Sequence, residues 1–143
     1  MEQGLNTYYY CVAQHLFAVH CADKALFERM SNYEPFRVEA QGEPIFALRI
    51  EQDGMLNEEE RSHYAHVFTD NSEEDMPRIE VYREVKGEEG GWLMRVSQIA
   101  NSPICCEIAC DATFTKGTLH IARDYRDVRF CMDNALMLMF AFR

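Results

Sequence analysis

The sequence predicts an α+β domain: a mostly antiparallel β-sheet with one or two short helices and an apolar C-terminal helix. Three observations predict it. Residues 78 to 123 run as short alternating segments separated by Gly-rich and Asn-Ser-Pro turn signals, the pattern of an antiparallel meander. Ile45 to Glu51 alternates the same way, with Phe46, Leu48 and Ile50 facing in and Arg49 and Glu51 facing out. The stretch from Asp133 to Arg143 then changes period: Asp133 or Asn134 offers a helix cap, and Ala135 to Phe142 is apolar on every side. Strands followed by a helix give the class.

The elements follow in order. Tyr8 to Cys21 reads as one long strand, with Cys11, Ala13, His15, Phe17, Val19 and Cys21 on one face. Ala22 to Met30 has helical spacing, and Ser31-Asn32-Tyr33-Glu34-Pro35 ends it, because proline disfavours a helical residue before it. Asp53-Gly54 is a turn signal. Asn57 followed by Glu60 makes a capping box for a single polar turn of helix. Arg78 to Val85 places Ile79, Val81 and Val85 opposite Arg78, Glu80, Tyr82 and Glu84. After Gly87-Glu88-Glu89-Gly90-Gly91, Trp92 to Ile99 returns with Trp92, Met94 and Val96 on one face. Ile104 to Thr115 alternates Ile104, Cys106, Ile108 and Cys110 against Cys105, Glu107 and Asp111. Lys116-Gly117 reads as a two-residue turn, and Thr118 to Arg123 as the returning strand.

Composition narrows function. The 143 residues carry 24 acidic against 14 basic side chains, a net charge of −10. That excludes a nucleic-acid binder, which needs Lys and Arg to replace phosphate counterions, and adhesion to anionic membranes. The acid gathers in Glu58-Glu59-Glu60, Glu73-Glu74-Asp75 and Glu88-Glu89, which read as solvated loops. The C-terminal run is shorter than the ~20 residues that span a bilayer. Val12 to Val19 is too short and too polar for a signal peptide. Six cysteines without disulfide-scaffold spacing indicate a reducing cytoplasm.

No residue set stands out as catalytic, and no cofactor motif is present: Gly-x-Ser-x-Gly, Gly-x-Gly-x-x-Gly and Gly-x4-Gly-Lys-Ser/Thr are all missing. Cys105-Cys106-Glu107-Ile108-Ala109-Cys110 is the densest set of candidate metal ligands. On a strand Cys106 and Cys110 lie about 13 Å apart, too far for one ion, so these cysteines read as buried small hydrophobes. His63 and His66 read as surface histidines, His15 as a core histidine, and His120 as partly exposed. Arg123 to Arg129 alternates charge and reads as a solvated linker.

The segment Val128-Arg129-Phe130-Cys131-Met132-Asp133-Asn134-Ala135-Leu136-Met137-Leu138-Met139-Phe140-Ala141 resembles the stretch that precedes the nucleotide-binding core in bacterial proteins related to HPr kinase/phosphorylase and ATP-dependent phosphoenolpyruvate carboxykinase. The resemblance implies a β-rich accessory domain over residues 1–130 and, over 131–143, the start of a connecting helix leading to a P-loop kinase-like core. None of that family's catalytic residues has a counterpart in this chain. The expected function is therefore a non-catalytic accessory or regulatory domain of an HPr kinase-like protein. A stand-alone homo-oligomeric interaction protein is the alternative. In either case Leu136, Met137, Met139, Phe140 and Phe142 are the residues expected to pack against a partner, either the kinase-like core or a second copy.

Overall fold

The computed structural model describes residues 6–21, 25, 28, 31–39, 42–52, 54–70, 76–86, 90–99 and 101–142. Nine strands form one sheet: β1 (Asn6–Val12), β2 (His15–Cys21), β3 (Arg37–Val38), β4 (Ala47–Glu51), β5 (Tyr64–Asp70), β6 (Arg78–Glu84), β7 (Trp92–Ser97), β8 (Ile104–Cys110) and β9 (Lys116–Ile121). Their spatial order is β3-β1-β2-β4-β9-β8-β7-β6-β5. The pairings are antiparallel except for β2 with β4 and β4 with β9, which are parallel. The meander expected from residue 78 onward is present and extends back through β5. A 3-10 helix covers Ser31–Phe36, and helices α1 (Glu58–Arg61) and α2 (Val128–Phe142) complete the described elements. Most of the helix expected over residues 22–30 lies outside the described residues.

The N-terminal segment expected as one strand is a hairpin. Ala13 and Gln14 both take positive φ, 52° and 68°, as the two central residues of a type I′ turn require. Such turns usually carry Asn or Gly, so Ala13-Gln14 is no turn signal. The reversal also moves His15, expected in the core, to an exposed position at the start of β2. The reversal expected at Lys116-Gly117 lies earlier. Asp111 accepts hydrogen bonds from the Thr115 and Lys116 amides (2.8 and 3.2 Å), and Phe114 sits at φ 57°, so Lys116 and Gly117 are free to open β9. β5 was not foreseen; its polar and exposed residues hide the alternation, and a register shift between His66 and Phe68 breaks it.

Helix α2 lies against β8 and β9. It starts at Val128, more than a turn before the expected cap. Asp127 is the residue that caps it, accepting from the Phe130 amide at 3.0 Å, so the last two residues of the expected linker, Val128 and Arg129, are helical. The boundary expected between residues 130 and 131 thus falls inside a helix. Asn134 lies within it, its amide donating to the Phe130 carbonyl at 2.9 Å, and Asp133 accepts from the Tyr33 hydroxyl. Val128, Cys131, Met132, Ala135, Leu136, Leu138 and Met139 are buried, each large apolar side chain contributing about 1.5–3 kcal/mol. Phe140 packs edge-on to Phe17 and Phe46, at 5.5 and 5.1 Å between ring centroids, and Phe142 stacks on Phe114 at 5.4 Å. Of the five residues expected to meet a partner, Leu136 and Met139 are therefore buried within the chain and Phe140 packs on its own sheet. Met137 and Phe142 remain about half exposed, at 51% and 48%.

Replacing Asp127 by Ala is expected to lower stability by about 1 kcal/mol, the ordinary value of an N-cap. Urea unfolding followed by circular dichroism checks it. No loss would place the helix start elsewhere.

Candidate functional site

Alternation along the strands gives the sheet two faces. Cys106, Ile108 and Cys110 of β8 pair with Ile121, Leu119 and Gly117 of β9, and this face meets α2. Glu107 and His120 pair on the opposite face. There they belong to one row running perpendicular to the strands: Glu51, His120, Glu107, Arg95, Glu80 and Thr69 are successive register partners across β4-β9-β8-β7-β6-β5. Charge alternates along much of this row. Arg95 Nε lies 2.7 Å from Glu107 Oε2, and Arg95 also reaches Glu80 at 3.5 Å. Arg78 Nε lies 3.1 Å from Glu80, and the Tyr82 hydroxyl donates to it at 2.8 Å. At the other end His120 Nδ1 lies 3.8 Å from Glu51.

Glu107 is fully buried. It is covered by the segment leading into α1, whose Leu56 amide donates to Glu107 Oε1 at 2.7 Å. That segment is fixed by the capping box of Asn57 and Glu60, as expected, and by Arg61, which donates to the Leu56 carbonyl at 2.7 Å. Both carboxylate oxygens of Glu107 are thus satisfied, one by a guanidinium and one by an amide. Read as an acid or base, Glu107 would need a substrate able to reach it, and the cover leaves none. Its geometry is that of a structural ion pair.

Beside the row the same face opens into a groove of about 770 Å³, lined by residues that include His20, Arg49, Tyr64, Glu84, Asp111, Lys116 and Thr118. Several of these groups are already committed. Glu84 accepts from the Gly91 amide at 3.1 Å, Asp111 holds its turn, and Arg49 lies 2.7 Å from Glu51. Among the described residues no ion pair holds the Lys116 ammonium. His20 Nδ1 lies 2.8 Å from Thr7 Oγ1, the spacing of a nucleophile and its base. The charged neighbour of this imidazole is the Arg49 guanidinium, however, where a catalytic dyad wants a carboxylate. Burial first, and then Arg49, push the His20 pKa down. Cys110 is likewise no nucleophile: burial, reinforced by Asp111, pushes its thiol up to about 12.

A second cluster lies on the α2 face. Cys105 and Cys106 of β8 and Cys131 of α2 bring their sulfurs within 4.8 Å of one another, at 4%, 0% and 0% exposure. Adjacent strand residues normally face opposite ways. Here the register shifts between Val96 and Ser97, so that Val96 pairs with Cys106 and Ser97 with Ile104. Cys105 is the extra residue of this bulge and turns to the side of Cys106. The sequence reading compared Cys106 with Cys110 and set the cysteines aside as small hydrophobes. Pairing Cys106 with a helical cysteine 25 residues on has no sequence signature. Hydrogen bonds from Cys106 and then Cys131 hold the Cys105 thiol below its usual range, while the same sharing pushes Cys106 and Cys131 up. His63 lies in a turn and His66 in β5, so they share no helix face.

Comparison with protein-family models, with curated proteins and with solved structures finds no match for the chain. No helix among the described residues is long and apolar enough to cross a membrane.

Two outcomes follow. Glu107→Ala takes the closest carboxylate from the partly buried Arg95 and the acceptor from the Leu56 amide, while Glu80 still holds the guanidinium, and is expected to cost about 1–3 kcal/mol, measured by urea unfolding. A cost under 1 kcal/mol would mean that the pair is solvated. Burial opposes ionisation of Asp111, but hydrogen bonds from the Thr115 hydroxyl and from the Lys116 and Thr115 amides outweigh it and hold the carboxyl below its usual range. A lowered folded-state pKa gives stability that is full above the unfolded value of about 4 and is lost as pH falls through the folded one. The stability difference between the wild type and Asp111→Asn should therefore be largest near neutrality and shrink in acid. Thermal unfolding between pH 7 and pH 2 reads it.

Proposed function

We propose that this chain is a non-catalytic accessory domain, a binding module whose open sheet face holds a polar segment carrying a carboxylate or phosphate. The observation that supports it is the groove beside β4 and β9. It is open, and Arg49, Lys116 and Thr118 stand together on the neighbouring strands β4 and β9. A bound anion would meet the Lys116 ammonium, which no ion pair holds among the described residues, and compete with Glu51 for Arg49, forming charge-assisted hydrogen bonds. Among the described residues no carboxylate orients the Thr7–His20 pair, so the groove supports binding more than bond cleavage.

The parent protein in this reading carries an ATP-dependent, P-loop kinase-like core. That part rests on the resemblance of Val128–Ala141 to the segment preceding such cores. α2 would be the joint, with half-exposed Met137 and Phe142 turned to the core, and the groove would hold a segment of the core or of its substrate. This chain itself needs no cofactor for that role.

A second reading, self-association, is favoured by apolar side chains along the sheet edge: Val67 and Phe68 of the outermost strand β5 are about half exposed. Solution scattering distinguishes it, since a monomeric mass at high micromolar concentration removes it.

NMR titration of the labelled chain with a glutamate-rich peptide, and separately with inorganic phosphate, tests the leading reading. Shifts should concentrate on Lys116, Thr118 and Arg49, and Arg49→Ala with Lys116→Ala should weaken peptide binding at least tenfold, or about 1.4 kcal/mol. Shifts confined to β5 or α2, or an unchanged affinity, would remove the groove from the account. A reading frame that continues beyond codon 143 into Gly-x4-Gly-Lys-Ser/Thr would support the kinase-like core, and a stop codon there would count against it.

A further inference from the structure

We infer that Cys105, Cys106 and Cys131 form a binding site for a divalent thiophilic metal ion, zinc by preference, that fastens α2 to the sheet. This site stands apart from the groove, and neither reading depends on the other. Three sulfurs within 4.8 Å of one another approach the arrangement a metal requires. Zinc–thiolate bonds of about 2.3 Å place tetrahedrally arranged sulfurs roughly 3.8 Å apart. Rotations of the three side chains, with no backbone movement, can supply the difference.

The backbone departs from regularity where such a site needs it to. Without the bulge, Cys105 would point to the opposite face, and the strand would offer one sulfur instead of two. Cys131 comes from the start of α2, which the helix sets down over β8 so that its sulfur meets those of Cys105 and Cys106. All three side chains are buried, and the ligand set is sulfur only: among the described residues no histidine or carboxylate joins the group. Soft ligands of this kind select zinc or copper(I) over magnesium, calcium or manganese.

Charge then chooses between the two. Each thiol gives up its proton to solvent as its bond to the metal forms, so three thiolates bring three negative charges into a dry site. Copper(I) would leave a net charge of −2 and zinc leaves −1, which the N-terminal end of α2 partly offsets. The Tyr125 hydroxyl lies within hydrogen-bonding reach of Cys105 and donates to Gln98 Oε1 at 2.8 Å. An oxygen donor such as water would complete the tetrahedron.

The test uses the reduced full chain titrated with zinc and, as a spectroscopic stand-in, cadmium. The expected result is one ion per chain by native mass spectrometry, an ultraviolet thiolate-to-cadmium charge-transfer band, and a higher Tm. Cys106→Ser and Cys131→Ser should lose the band and bind more than about 100-fold more weakly, since even outer-shell changes cost 10–100-fold. Cys11→Ser, outside the cluster, should bind as the wild type does. Should the cluster variants fail to fold, cadmium NMR of the wild type decides, because the chemical shift counts bound sulfurs. A three-sulfur shift supports the site. An oxygen- or nitrogen-dominated shift, no stoichiometric uptake, or uptake that survives Cys131→Ser overturns it.

Discussion

The middle of strand β8, from Cys105 to Ile108, meets water on neither face, and the arrangement of the protein follows from that constraint. On one side α2 lies over Cys106, Ile108 and Cys110; on the other the segment leading into α1 covers Glu107. A strand buried on both faces ordinarily reads as a continuous hydrophobic run. This one carries a carboxylate at its centre, tolerable only because Arg95 and the Leu56 amide occupy both of its oxygens. The pair in turn dictates its surroundings. Arg95 must lie opposite on β7, the capping box must hold Leu56 in place, and Glu80 must share the guanidinium. The row from Glu51 to Thr69 is the extension of that requirement across six strands.

The same burial explains which parts of the fold were legible in the sequence. Ile45–Glu51, Arg78–Glu84 and Trp92–Ser97 showed their inward faces because each has one apolar side, although Val85, expected beside Ile79 and Val81, lies past the end of β6 and is exposed, and Asn57 with Glu60 announced α1 because a capping box is a local device. Where the structure departs from regularity the alternation misled. Val12 and His15 flank a turn made by Ala13 and Gln14, residues that rarely adopt positive φ. The cap of α2 is Asp127, hidden in a run of alternating charge where Asp133 looked equally able. Glu107 was read as an outward residue because nothing nearby in the sequence reveals the distant segment that covers it. The groove and the sulfur cluster were illegible for one reason: each joins residues from strands or helices far apart in sequence.

The apolar C-terminal run was legible as something that must be buried, though not as to what buries it. Much of the answer is the chain's own sheet. Phe140 enters an aromatic group with Phe17 and Phe46, and Phe142 finds Phe114, which is held at φ 57° in the turn that Asp111 organises. A helix without a glycine cap is thus anchored near its end by stacking, and near its start by Asp127 and the packing of Cys131. What is left for a partner is narrow: Met137, on the side that Arg129 and Asp133 also occupy, and the exposed part of Phe142.

That narrow strip and the groove together bear on how a partner would be held. The chain carries a net charge of −10, while Arg49 and Lys116, the latter held by no ion pair among the described residues, put positive charge in the groove beside the carboxylates of Glu84 and Asp111. Beyond a Debye length of about 8 Å at physiological salt a ligand senses little of Lys116 or Arg49, and the surrounding acid repels an approaching anion. Electrostatic steering therefore does not assist capture from solution. A segment tethered to the same polypeptide needs no steering, because a short linker supplies millimolar effective concentration. A local cationic site on an acidic domain suits a ligand delivered by its own chain better than one that must diffuse to it, which favours the accessory-domain reading over a free-standing receptor for anions.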